Sequence, residues 1–310
     1  MSPINLTRAV GAILATGLLL AAAPASAVVA AGSPFSSLYV LGDSLSDNGN
    51  VFAASGGLYP PAPYYQGRFS NGPVAVEVLA AGLGLGGSTF FDFAVGGATT
   101  GADGSAGAGT GMLSQLAGYQ AVLGGGAASS TALYTVWGGA NDLRASPSAA
   151  TITAAITNLT TIVSTLHSMG ARNFLLPNLP DLGLTPEARE AGISAAATFA
   201  SEVFNTQLSL AYGALATQWT DEHFYYFNAM GAQRAITTGS PGNGFNNVTT
   251  ACIGTADCAT ALYFDSIHPT AATHQILGNQ MLAAVPEPQA MLMMAAGLVV
   301  LLGAAHRRRA

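Results

Sequence analysis

The chain has 310 residues, of which only 8% are charged, with a formal net charge of −6. An average soluble protein carries about 25% charged residues. All nine cations are arginines, six of them scattered and three at 307–309, which leaves no basic patch on the body of the chain to neutralise phosphates and argues against nucleic acid as a partner.

The N-terminus has the layout of an export signal. Arg8 precedes an apolar run over residues 10–23, and Ala25-Ser26-Ala27 supplies small residues for cleavage. Residues 1–27 are therefore expected to be a signal peptide. The first strand is expected over 38–41, a short apolar run. It leads into Gly42-Asp43-Ser44-Leu45-Ser46, which places a serine at the exit of a buried strand. The Pro- and Tyr-rich segment 59–65 reads as a rigid surface turn, the alternative being part of the lining of a substrate pocket.

A helix is expected over 74–83 and a strand over 90–95, followed by Gly96-Gly97. The glycine-rich stretch 101–111 reads as a mobile loop. The loops 49–63 and 101–111 are expected to line a substrate pocket. Further along come a helix over 112–123 and a strand over 133–137 that runs into Gly138-Gly139-Ala140-Asn141-Asp142. A helix is expected over 149–169, and a strand over 173–176 with Pro180-Asp181 beyond it. A helix over 191–217 and a strand over 224–227 complete the repeating part. The last elements are an irregular stretch over 239–260, the segment Asp265-Ser266-Ile267-His268-Pro269-Thr270 and a helix over 271–284. Strands alternating with helices imply a mostly parallel sheet covered on both faces. Ligands bind beyond the carboxyl ends of such strands. Ser44, Gly96-Gly97, Asn141 and Pro180-Asp181 all follow strand ends, so they converge on one rim.

Export makes Cys252 and Cys258 legible. In an oxidising compartment a local disulfide is expected, the alternative being two unpaired thiols.

A serine hydroxyl needs a base, and five histidines are available. His306 lies in the C-terminal tail, His167 late in a long helix, His223 at a strand start and His274 inside the last helix. His268 sits on the loop before a helix start marked by Pro269-Thr270. Asp265 precedes it by three residues, a spacing that lets a turn bring the carboxylate to Nδ1. Oxyanion donors are available from the Ser44 N–H, the Gly97 N–H and the Asn141 amide. A turn at the glycine pair and a helix cap at Asn141-Asp142 are the plain alternatives.

Together these residues resemble the SGNH hydrolases, also called GDSL esterases or lipases. The nucleophile motif corresponds to Gly42-Asp43-Ser44-Leu45-Ser46, the second-block glycine to Gly97, the asparagine block to Gly138-Gly139-Ala140-Asn141-Asp142, and D-x-x-H-P to Asp265–Pro269. Arg68-Phe69-Ser70-Asn71-Gly72-Pro73-Val74 and Leu179-Pro180-Asp181-Leu182-Gly183-Leu184-Thr185-Pro186 look like the secreted lipase branch. Asp92 stands where the family often has asparagine.

The resemblance implies a flavodoxin-like three-layer α/β/α fold with a central, mostly parallel five-stranded sheet. It implies a serine esterase or lipase acting on carboxylic acyl esters through a Ser44–His268–Asp265 triad and an acyl-enzyme. Ser44, Gly97 and Asn141 would form the oxyanion hole, with no cofactor and no metal. The alternatives are a phospholipid acyltransferase or an extracellular polysaccharide deacetylase using the same site, and, in another class, a non-catalytic surface or matrix protein.

At the C-terminus, Val285-Pro286-Glu287-Pro288 is followed by an apolar run over 290–305 and by His306-Arg307-Arg308-Arg309. The run falls short of the roughly 20 residues of a full span, and arginines suit a cytoplasmic flank. This arrangement resembles the PEP-CTERM sorting signal of Gram-negative bacteria. It implies a transient membrane anchor and an exosortase-type processing enzyme, with release to the cell surface, the exterior or an exopolysaccharide. A permanent tail anchor is the alternative. The expected organisation is thus a signal peptide (1–27), a hydrolase domain (28–284) and a sorting segment (285–310).

Overall fold

Strand side chains alternate between two apolar faces, and that alternation builds the layers. In a computed structural model, residues 33–255 and 257–285 are described. The expected signal peptide and residues 286–310 of the expected sorting segment lie outside the described residues. In chain order the elements are β1 (Leu38–Gly42), α1 (Asn50–Ala54), α2 (Ala75–Gly82), β2 (Phe90–Asp92), α3 (Met112–Leu123), β3 (Leu133–Trp137), α4 (Ala140–Ala145), α5 (Ala149–Ser168), β4 (Asn173–Pro177), α6 (Pro186–Glu190), α7 (Ser194–Gln218), β5 (His223–Phe227), α8 (Ala229–Gly239), β6 (Asn247–Ala251), β7 (Ala261–Tyr263) and α9 (Ala271–Ala284).

The main sheet has the order β2-β1-β3-β4-β5, and every neighbouring pair is parallel. This is the flavodoxin-like order, which puts a topological switch point between β1 and β3. Leu38, Val40, Leu133 and Leu175 face one way, against Leu79 of α2 and Leu277 and Met281 of α9. Leu41, Tyr134, Val136, Phe174 and Leu176 face the other, against Leu116, Ile152, Leu159 and Phe204 of α3, α5 and α7. This is the period-2 alternation of a sheet buried on both faces. Each such side chain contributes about 1.5–3 kcal/mol when fully buried.

Register is pinned by an aromatic row. Phe91, Tyr39, Tyr134, Phe174 and Phe224 are cross-strand partners in succession. Tyr39 stacks on Phe91 at 4.9 Å and on Tyr134 at 5.2 Å, and Phe174 stacks on Phe224 at 5.6 Å. Cross-strand aromatic pairs of this kind resist a register slip.

Four local expectations need correction. β2 is bounded at Asp92 rather than residue 95, although the Phe93 and Val95 N–H groups still donate to Val40 O and Gly42 O of β1 at 2.8 and 3.2 Å; the Asp92 carboxylate takes the Ala94 N–H at 2.9 Å and the Asn48 N–H at 3.1 Å. The expected helix over 191–217 is α7, which starts at Ser194, and the separate short helix α6 precedes it. Gly192, at φ +69°, ends α6 and lets α7 start in a new direction. The 239–260 stretch contains β6, which pairs with β7. Finally, the 101–111 segment, expected as a mobile loop, is crossed by its own hydrogen bonds. The Gly111 N–H donates to Ala102 O at 2.8 Å and the Leu113 N–H to Gly101 O at 3.0 Å. Thr100 binds the Asp142 carboxylate through its N–H and its hydroxyl, at 2.9 and 2.7 Å.

Candidate active site

β1 delivers Ser44 to the switch-point crevice, and the following turn is built by its own neighbours. Asp43 O accepts the N–H groups of Ser46 and Asp47 at 3.0 Å each. The Asp47 carboxylate takes the N–H groups of Gly49, Asn50 and Val51, which opens α1. It also takes the Gly96 N–H at 2.7 Å, joining the serine turn to the glycine pair. Sequence reasoning assigned Asp47 no role, although an aspartate shortly before a helical turn is a capping signal.

Ser44 Oγ lies 2.8 Å from His268 Nε2, across 224 residues of sequence. His268 Nδ1 lies 2.6 Å from Asp265 Oδ2. The expected turn exists. Asp265 Oδ1 accepts the N–H groups of Ile267 and His268 at 2.9 and 2.7 Å. Thr270 then caps α9 with its hydroxyl. The Arg68–Val74 stretch braces this loop from behind. Phe69 packs on the His268 ring at 5.2 Å, Ser70 Oγ donates to Pro269 O at 2.8 Å, and Asn71 Oδ1 accepts the Ala271 N–H at 2.7 Å. Ser44 and His268 are both buried, at 7% and 8% exposure. The other described histidines take no part in this line: His274 is buried in α9, where its Nδ1 accepts the Ala75 N–H at 3.1 Å. His167 pairs with Glu222 and stacks on Trp219, at the opposite end of the sheet.

The oxyanion candidates cluster as expected. Gly97 sits at φ +79°, and a Cβ there would collide with Ser105 Oγ, so only glycine fits. Among the described residues, neither the Ser44 N–H nor the Gly97 N–H donates to a protein acceptor. Asn141 Nδ2 donates to Ala98 O at 2.9 Å, which leaves its second N–H for a ligand. Its Oδ1 accepts from Arg144 Nη1 at 3.3 Å. Arg144 in turn is held by a two-point pair with Glu187, at 2.8 and 2.7 Å. Arg144 thus orients the amide from α4, a role with no local sequence signal. Asp181 lies beyond β4 as expected, but its carboxylate is bound to Arg234 and Thr198; it supports the fold.

The carboxyls near the serine behave oppositely. Burial pushes Asp265 up, but the His268 hydrogen bond, the His268 charge and the two backbone N–H groups outweigh it and bring the group down to about 2. Burial pushes Asp43 up to about 6, opposed by the Leu45 N–H that favours its anion. The native state then holds a proton on Asp43 that the unfolded chain gives up near its ordinary 3.8. Stability is therefore lost as pH climbs between those two values. Thermal melts of Asp43→Asn and the parent, at a pH below this window and at pH 7, test this. The variant should lose less melting temperature across the window, and equal losses would refute it.

An apolar cavity of about 450 Å³ opens beside Ser44. Its walls include Leu143, Leu182, Ala188, Ile193, Ala197 and Ala200. They come from α4, α6 and α7 and from the turns flanking α6. The loops 49–63 and 101–111, expected as lining, do not contribute. The sequence could not show that the break at Gly192 turns α7 towards the serine.

Comparison with known proteins places these features in a family. Residues 38–281 match the model of the GDSL-like lipase/acylhydrolase family. The thermolabile hemolysin of Vibrio parahaemolyticus is 27% identical over 270 residues, covering 78% of this chain and 62% of that protein. The phosphatidylcholine-sterol acyltransferase of Aeromonas hydrophila is 33% identical over 190 residues, covering 56% of this chain and 53% of that protein. The chain thus spans between half and two thirds of the length of these two relatives. Among solved structures, a G-D-S-L family lipolytic protein from Veillonella parvula aligns with TM-score 0.48 at 12% identity, covering 80% of this chain and 96% of that one.

Proposed function

Because this chain belongs to the GDSL-like lipase/acylhydrolase family, we propose that it is a serine esterase or lipase in which Ser44 is the nucleophile, His268 the general base and Asp265 the residue that orients it. The observation that carries this reading is the unbroken hydrogen-bond line Ser44 Oγ–His268 Nε2 and Nδ1–Asp265 Oδ2. His268 takes the hydroxyl proton as Ser44 attacks the ester carbonyl. The N–H groups of Ser44 and Gly97 and the free amide N–H of Asn141 receive the oxyanion. His268 gives its proton to the leaving alcohol, then activates water to release the acid. These steps draw on no cofactor.

The cavity supports an acyl chain longer than acetyl, since its volume falls in the range of small-molecule sites and its walls are aliphatic. This disfavours the deacetylase alternative. Ala197→Phe narrows it from α7. A p-nitrophenyl ester panel on the purified mature enzyme should show about tenfold loss of kcat/KM for dodecanoate with butyrate changed less than about threefold. Equal losses on both esters would remove the cavity from the reading. Transfer of the acyl group to a second alcohol is favoured as an alternative by the acyltransferase relative, and product analysis with an added alcohol separates it from hydrolysis.

We further read the protein as an exported member of the secreted branch with three parts: a leader over 1–27, a catalytic domain over 28–284 and a PEP-CTERM-type segment over 285–310. The last would anchor it transiently and be processed by an exosortase-type enzyme, leaving the protein outside the inner membrane. The arrangement of the terminal segments supports this, as does the Cys252–Cys258 disulfide, which belongs to an oxidising compartment. Terminal sequencing of the protein recovered from the producing cells tests it. Intact termini would overturn it.

A further inference from the structure

The triad acid has a second side-chain partner. Tyr64 lies in the 59–65 segment, which reads from sequence as a surface turn. Its O–H donates to Asp265 Oδ2 at 2.7 Å. That is the same oxygen that faces His268 Nδ1 at 2.6 Å. The other oxygen is already committed to the N–H groups of Ile267 and His268. Each carboxylate oxygen therefore has two donors.

The phenol itself is held from several sides. Its ring packs edge-on against Phe264 at 5.1 Å and Phe69 at 6.2 Å, and Phe69 also packs on the His268 ring. Behind it lies the apolar cluster of Cys252, Ala261 and Phe264, with Cys258 against it. The disulfide thus forms part of the wall on which Tyr64 rests. Burial, with the neighbouring carboxylate, drives the phenol well above its ordinary value, so it stays a donor throughout the working pH range.

Resting on the esterase reading above, we propose that Tyr64 is a positioning residue of the catalytic line: its hydroxyl fixes Asp265 Oδ2 against His268 Nδ1 and so keeps Nε2 aimed at Ser44. A carboxylate that loses this donor is free to swing, and it concentrates more charge on the oxygen facing the imidazole. The first effect slows turnover. The second favours the imidazolium, which moves the acid limb of the pH profile upward. Asp43, Glu187 and His274 also face the imidazole, Arg144 faces Asp265 and Tyr59 faces Tyr64. All five are unchanged by the substitution.

Tyr64→Phe keeps the ring and removes only the hydroxyl. In the mature enzyme it should lower kcat about tenfold on a p-nitrophenyl ester, the worth of one hydrogen bond to a charged acceptor. KM should stay within about twofold, because the interaction is not made to substrate. The acid limb should move to higher pH. In an Asp265→Ala background the same change should be silent, since the acceptor is gone. An unchanged kcat and pH limb, or an equal loss in both backgrounds, would overturn the assignment. Ser44→Ala runs beside it. Activity retained there overturns the esterase reading and this proposal with it, whereas a dead Ser44→Ala with a silent Tyr64→Phe overturns the Tyr64 role alone.

Discussion

Ser44→Ala should abolish esterase turnover, lowering kcat/KM on p-nitrophenyl esters by about 10,000-fold or more, the scale seen when a serine nucleophile is removed. The fold should survive. The one hydrogen bond of Ser44 Oγ among the described residues is to His268 Nε2, and no packing atom beyond the oxygen is lost. The melting temperature should therefore stay close to that of the parent. A fluorophosphonate probe should label the parent and leave the variant unlabelled. Turnover within tenfold of the parent would remove Ser44 from the chemistry, and an unlabelled parent would favour a non-catalytic surface protein on this fold.

His268→Ala should cost about as much as Ser44→Ala, and the double variant should be no worse than either alone. The two side chains act as one unit in the attack step, so losing either forfeits the same transition state. Asp265→Ala should be milder by about tenfold to a hundredfold, because the imidazole remains to take the proton although it loses the carboxylate that orients it and stabilises its charged form. Additive losses for Ser44→Ala and His268→Ala would mean that the proton goes elsewhere. The carboxyl of the preceding residue, Asp43, also lines the cavity and is buried with its pKa raised. A Ser44–Asp43 coupling in the same set of variants would expose that route.

Much of the architecture was readable because it is local. β3, α3 and α9 fall where the apolar periodicity places them. Asp265 and His268 share a loop, so their contact follows from a three-residue turn. The departures lie at element ends: Gly192 ends α6 through a left-handed φ, so α7 starts only at Ser194. Asp47, Arg144 and Tyr64 were passed over for a different reason. The Asp47–Gly96, Arg144–Glu187 and Tyr64–Asp265 contacts span 49, 43 and 201 residues, and no local pattern reports which distant segments meet.

By itself the sequence determined the chemistry on offer: a hydroxyl at a strand exit, a carboxylate and an imidazole on one loop, and glycines where a backbone must come close. Those properties live in residue type and short spacing. Only the tertiary structure decided that Ser44 and His268 stand at hydrogen-bond distance, that the acyl cavity is walled by α4, α6, α7 and the turns around α6 rather than by the glycine-rich loops, and that Tyr64 completes the carboxylate's partners. Hydrophobic alternation tells each strand and helix which face to bury, but which buried faces meet, and in what register, is settled by packing the whole sheet at once.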